Sequence, residues 1–310
     1  MYIGLIDVDG HNFPNLALMK ISAWHIARGD IVTWAIPLEE YDIVYQSKIF
    51  DDTYSRDIDW VPHADKVIKG GTGYGLDNTL PDEIEHIYPD YTLYTDLTRN
   101  TAYGFLTRGC PRNCDFCIVS QKEGRCSHKV ANILEFWDGQ KNIKLLDANI
   151  LACADHPNLL KQLIVSEANV DFTQGLDIRL TNRDNIELIN QIKVKEIHFA
   201  WDDPNEDLTP YFKAYAEKTT HKPHGNFGTV YVLTNFGSTL KDDLYRIYTL
   251  RDLGFDPYVM IYDKPNAPKI TRDLQRWCNN RKIFRTCTDF GEYHKHGQLC
   301  IRGFHPMAHR

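Results

Sequence analysis

From residue 102 the sequence alternates short β-rich apolar runs with helical patterns six times over, and that alternation limits the chain to a parallel sheet with helical crossovers. The runs are AYGFLTR, NIKLLDANI, VDFTQGLDIRL, EIHFAWD, TVYVLTNF and DPYVMIYD. Helical spacing follows around Ile133 to Trp137, Leu159 to Ile164, Ile186 to Ile192, Tyr211 to Ala216, Leu244 to Leu253 and Leu274 to Trp277. Six units predict a partial (βα)6 TIM-like barrel over 101–290, with a basic tail over 291–310. Polar residues cluster at the strand ends, among them Asp147, Asn149, Asp177, Arg179, Asp202 and Asp203, where loops after parallel strands place chemistry.

The first eighty residues read as a small Rossmann-like α/β domain. YIGLIDV is a strand, Leu16, Met19, Ile21 and Ile26 mark a helix that stops at Gly29, and DIVTWAI, DIVYQSKIF and KVIKGG supply further strands. The segment 81–100, with Pro81, Pro89 and few periodic apolar positions, reads as a linker.

Hydrophobic residues at 43% and charged residues at 25% belong to a chain that buries a core, and no apolar stretch approaches the roughly 20 residues of a membrane span. The start, MYIGLIDVDGHN, lacks the pattern of a signal peptide, so a cytoplasmic protein with no membrane association is expected. A net charge of -7 argues against indiscriminate nucleic-acid binding. From Lys264 to Arg310, however, ten Lys and Arg face three acids, which is either a solvated terminus or a patch for an anionic substrate.

Eight cysteines in such a chain point to thiols used for metal or catalysis. RGCPRNCDFCIVS sets Cys110, Cys114 and Cys117 in a C-x3-C-x2-C array after the first barrel strand, with Gly109 and Pro111 favouring a tight loop. Three thiolates are one short of a closed site, and an open coordination position is what a catalytic metal needs. The competing reading is a non-enzymatic zinc- or iron-sulfur-binding structural module, its fourth ligand drawn from Cys126, Cys153 or His128. Cys153, Cys278, Cys287 and Cys300 show no ligand-like spacing among themselves that would support a second cluster, and most of them read as buried small hydrophobes.

With Phe116 just before its third cysteine, this motif resembles that of the radical S-adenosylmethionine superfamily, over the chain from about residue 102 onward. The resemblance implies a [4Fe-4S] cluster on Cys110, Cys114 and Cys117 whose open iron chelates S-adenosyl-L-methionine. It also implies an external one-electron reductant such as flavodoxin or ferredoxin, and a 5'-deoxyadenosyl radical that acts on a substrate the sequence does not name. The cofactor-binding candidates are Phe116, Asp147, Asn149, Asp177 and Arg179. The family's glycine-rich segment at the second strand is replaced here by Leu146, Asp147, Ala148 and Asn149, so Asp147 or Asn149 either meets the methionine moiety or caps a turn. Asp177 and Arg179, two apart in a strand reading, would share a face and either pair or hold ribose and carboxylate separately.

The amino-terminal domain resembles the cobalamin-binding module found in one branch of that superfamily, but the cobalt-ligating Asp-x-His-x-x-Gly pattern is broken at Asp7, Val8, Asp9, Gly10 and His11. A degenerate module without cobalamin is the favoured reading. Gly70, Gly71, Gly73 and Gly75 could let backbone approach a nucleotide tail or form a tight turn. His11, His294, His296, His305 and His309 match no standard metal spacing.

Overall fold

The computed structural model describes residues 1–10, 12–223 and 225–293. His11, Cys300, the histidines from His294 onward and the end of the basic terminus lie outside the described residues. The chain divides into two compact units, Met1–Asn169 and Val170–Arg310, a division that runs through the stretch read as the barrel. Both units are α/β with parallel sheets.

In the first unit, β1 (Tyr2–Asp7), β2 (Ile31–Trp34), β3 (Glu40–Ser47) and β4 (His63–Gly70) form a parallel sheet in the order β2-β1-β3-β4. Helix α1 (Leu16–Ala27) starts where the Asn15 side chain accepts from the Leu18 N–H. It buries Leu18 and Ile21 against Ile3 and Leu5, while Ile6, Tyr41 and Val44 form a second apolar cluster with Ile58 and Trp60.

The segment 81–100 is more structured than a linker. It carries α2 (Asp82–Glu85), a 3-10 turn over Tyr91–Tyr94 and α3 (Thr95–Thr98). Its anchors are too few to show periodicity: Ile84 enters the first core, and the Tyr91 hydroxyl donates to the Phe136 carbonyl at 2.6 Å while accepting from the Tyr103 N–H at 3.1 Å.

β5 (Thr101–Gly104) then pairs in parallel with β8 (Asn142–Leu145), Thr101 beside Asn142 and Gly104 beside Leu145. A Cβ at Gly104 would run into the buried ring of Phe136, which explains a glycine inside a strand. Between the two strands lies the cysteine segment, with β6 (Thr107–Arg108) and β7 (His128–Lys129) in an antiparallel pair and the single turn of α4 (Val119–Lys122). The helix expected around Ile133 to Trp137 is only a 3-10 turn over Ile133–Glu135. Helix α5 (His156–Ser166) follows β8.

The second unit continues the alternation with β9 (Asn169–Phe172), α6 (Arg183–Ile189), β10 (Val194–Ala200), α7 (Thr209–Lys218), β11 (Thr229–Thr234), α8 (Leu240–Asp252), β12 (Asp256–Ile261) and α9 (Lys269–Asn279). Two short helices, α10 (Arg281–Thr286) and α11 (Phe290–Tyr293), follow. β9 to β12 pair in sequence order, all parallel. Helix α8 opens on a capping box between Thr239 and Asp242, of the kind worth about 1 kcal/mol. It packs Leu244, Ile247 and Tyr248 against Val259, Leu274 and Trp277. Phe199, Phe212, Tyr215 and Phe255 form an aromatic cluster with edge-on contacts, and burial of four such rings makes this one of the better-anchored parts of the unit. Among the described residues no helix is long and apolar enough to cross a membrane.

Candidate functional site

Cys110, Cys114 and Cys117 are partly buried and lie on one loop. The loop turns where left-handed backbone is needed: Gly109 at φ +86°, Asn113 at φ +49° and Gly124 at φ +92°. At Gly109 the space is closed as well, since a Cβ there would strike the Cys126 carbonyl. The Cys110 N–H donates to the Gly124 carbonyl at 3.1 Å, and the Cys117 N–H to the Cys114 carbonyl at 3.0 Å. Glu123 ties the loop's two ends together, accepting from the Gly109 N–H at 3.1 Å and from Arg108 at 2.8 Å. Arg108 also reaches Glu85 and lies over the Phe105 ring at 3.9 Å. Sequence spacing alone did not single out Arg108 and Glu123, although both directly flank the cysteine array.

Asp147, at the end of β8, holds the loop's base. Its carboxylate accepts from the Leu106 N–H at 3.2 and 3.1 Å, from the Thr107 N–H at 2.5 Å and from the Thr107 hydroxyl at 2.6 Å. It is 3% exposed, and burial pushes its pKa up to about 6 against the lowering effect of the hydrogen bonds from Thr107 and Leu106. Of the two roles open to this residue, the observed contacts are those of a cap. Asn149 is brought directly to the motif: its Nδ2 donates to Cys110 Sγ at 3.5 Å, and its carbonyl accepts from the Ser127 hydroxyl at 2.9 Å. Phe116 lies partly buried between the second and third cysteines. Cys126 is exposed, and Cys153 and Cys278 are buried; burial also drives the Cys278 thiol far above its ordinary range.

Asp177 and Arg179 belong to the second unit, and the strand placement expected for them is not what forms. β9 ends at Phe172, Gly175 turns the chain at φ +92°, and Asp177 caps a 3-10 turn over Ile178–Leu180 that contains Arg179. They pair all the same, Arg179 Nε to Asp177 Oδ1 at 2.7 Å, and a second carboxylate, Glu206, accepts from Arg179 at 2.6 Å. The glycine in QGLDIRL was the available signal for this break.

Asp202 is partly buried and Asp203 exposed. Asp202 accepts from the Leu233 N–H at 3.1 Å, and burial pushes its pKa up to about 6, opposed by that hydrogen bond and by the charges of Arg246 and Arg179. In the folded chain both Asp147 and Asp202 thus keep a proton up to about pH 6, whereas an unfolded chain releases it near the ordinary value of 3.8. The folded state binds more protons between about pH 4 and pH 6, so this contribution to stability is complete below the lower value and is lost as pH rises through the upper one. Asp202→Asn will remove its share, on the order of 3 kcal/mol. The difference in melting temperature between wild type and variant, followed from pH 4 to 7, will be steep below pH 6 and flat above it.

In the amino-terminal sheet, Asp9 accepts from the Ile49 and Phe50 N–H groups, and Asp7 accepts from the Tyr94 hydroxyl at 2.5 Å. The glycine cluster closes on the chain's own backbone: Cβ atoms at Gly71 and Gly73 would strike the carbonyls of Lys48 and Phe50. These are contacts of a tight turn.

Compared with known proteins, the sequence matches no family model and has no significant match among curated proteins.

Proposed function

We propose that the chain is a radical S-adenosylmethionine enzyme built on a partial (βα)6 barrel, acting on an anionic substrate in the cytoplasm. The observation that carries the reading is the loop itself: three cysteines at C-x3-C-x2-C spacing, hung between the parallel strands β5 and β8 and held by Asp147. This donor set suits iron chemically, since three thiolates satisfy three irons of a [4Fe-4S] cluster and leave one for a substrate-side ligand. Cys110, Cys114 and Cys117 would hold the cluster, which when bound supplies one electron, drawn from a flavodoxin- or ferredoxin-type donor, for cleavage of a carbon–sulfur bond of S-adenosylmethionine.

The protein's own share is positioning and electrostatics. The Asn149 amide donates to Cys110 Sγ, and a hydrogen bond of this kind stabilises thiolate and tunes a cluster's potential. Asp147 fixes the loop's base. Arg179, bridging Asp177 and Glu206, presents a guanidinium suited to a carboxylate or phosphate. The excess of Lys and Arg after Lys264 supports an anionic substrate. Cobalamin is not part of the proposal, because the expected histidine pattern is broken and the glycine cluster packs on the chain's own backbone.

The test is anaerobic reconstitution with iron and sulfide, then addition of dithionite and S-adenosylmethionine. The expected result is a brown protein that releases 5'-deoxyadenosine. A chain that binds stoichiometric zinc and no sulfide would replace this reading with a structural metal module. Arg179→Ala will lower the rate of 5'-deoxyadenosine release about tenfold or more while leaving iron and sulfide content at the wild-type level. An unchanged rate would show that Arg179 takes no part in the reaction.

A further inference from the structure

Strand β10 carries one residue more than its neighbour β9. The register runs Val194 beside Val170 and then Glu196 beside Asp171, so Lys195 is the extra residue, and it is exposed. Bulges are rare between parallel strands, and where they occur they re-aim side chains. Here the consequence is a change of charge. An unbroken register would set Lys195 beside the buried Asp171; the bulge sets a second carboxylate, Glu196, there instead.

His198 lies two residues further along β10 and so shares a face with Glu196. Its Nε2 is 3.4 Å from Glu196 Oε2 and 3.8 Å from Asp171 Oδ1. One ligand atom from each of the three residues lies within 4.8 Å of the other two. The imidazole is braced by Tyr231, stacked on it at 5.4 Å and 15°, and Tyr258 meets Tyr231 edge-on. The other face of the sheet is filled by Ile197, Phe199, Val230 and Val259, whereas Tyr258 and Met260 remain 41% and 45% exposed.

Two carboxylates and an imidazole gathered on adjacent strands offer a divalent cation two anionic oxygens and one nitrogen. We propose that Asp171, Glu196 and His198 bind one divalent transition-metal ion in the second unit of the chain. Two oxygen donors and one imidazole suit Mn2+, Fe2+ or Zn2+. Three protein ligands leave coordination positions open, so the ion can take water or an oxygen-bearing substrate group. The inference is independent of whether the thiol loop holds iron.

Mn2+ is the probe, because thiolates are poor ligands for it and the cysteine loop then does not compete. The full-length chain is titrated with MnCl2, and free Mn2+ is followed by electron paramagnetic resonance. One equivalent is expected to bind. His198→Ala and Glu196→Gln should each weaken binding about tenfold or more, a scale reached even by outer-shell partners of metal sites. The combined Cys110→Ser, Cys114→Ser, Cys117→Ser variant should bind Mn2+ as the wild type does. Glu196→Gln keeps the side-chain shape and carries the test should His198→Ala fail to fold. Wild-type protein that leaves all Mn2+ free, or a folded Glu196→Gln variant that binds it with wild-type affinity, overturns the proposal.

Discussion

If the thiol loop holds the cluster proposed above, Cys114→Ala is expected to abolish both the cluster absorbance of the reconstituted protein and its release of 5'-deoxyadenosine, while the fold survives. The separation follows from the loop's construction. The Cys117 N–H donates to the Cys114 carbonyl, and an alanine keeps that backbone hydrogen bond. Cys114 is partly exposed, so trimming its side chain leaves no buried cavity and should cost within about 1 kcal/mol. Thermal melts of the unloaded protein check the second half of the expectation, and iron and sulfide analysis checks the first. Cys126→Ala supplies the contrast. Cys126 is exposed, and its Sγ lies 3.7 Å from the Ser127 carbonyl. If the site uses three thiols, this variant reconstitutes normally; if Cys126 were the fourth ligand of a zinc site, it would lose metal as Cys114→Ala does.

Arg246→Ala costs about 3–5 kcal/mol of stability, the range for removing one partner from a buried charge pair. Arg246 is 1% exposed in the second unit. Its guanidinium donates to the carbonyls of Trp201 at 2.7 Å, Asp202 at 2.9 Å and Leu233 at 2.9 Å, and to the Asp243 carboxylate at 2.6 Å. It thereby satisfies the carbonyls that follow β10 and one near the end of β11. Without it three acceptors and one carboxylate are left buried. Arg246→Lys rescues only in part, because a single ammonium does not reproduce the planar fork that serves all four acceptors. Denaturant midpoints of the three proteins are expected to fall in the order wild type, then Lys, then Ala. Equal midpoints for wild type and Ala would remove Arg246 from this role.

What could be read in advance follows from the range of the forces involved. The strands at Tyr2–Asp7, Val194–Ala200, Thr229–Thr234 and Asp256–Ile261, and the helices around Leu159, Tyr211, Leu244 and Leu274, show in the sequence because apolar periodicity is a local property that burial imposes on each element. The cysteine loop is legible for a similar reason, since ligand spacing and turn residues are contiguous. Asp177 and Arg179 were misplaced because an apolar run continues past Phe172 although Gly175 ends the strand. The segment 81–100 reads as a linker in the sequence because hydroxyl hydrogen bonds from Tyr91 and Tyr94 leave no periodic trace. The bulge at Lys195 was hidden as well, for a register shift depends on both strands and neither alone encodes it. Arg246 sat unremarked in a helical pattern because its partners come from positions up to 45 residues away.

The clamp at Asp147 also sets an order of events during synthesis. Thr107 and Asp147 are separated by 40 residues, and the whole cysteine motif lies between them. When the third cysteine leaves the ribosome, the carboxylate that will shape the loop has not yet been made. The loop therefore waits, thiols unconstrained, until β8 has emerged and paired with β5. If the loop takes a cluster as proposed, delivery of iron to a correctly shaped site would follow translation of this half of the chain, and a nascent chain stalled before Asp147 would offer its cysteines to whichever metal or oxidant reached them first.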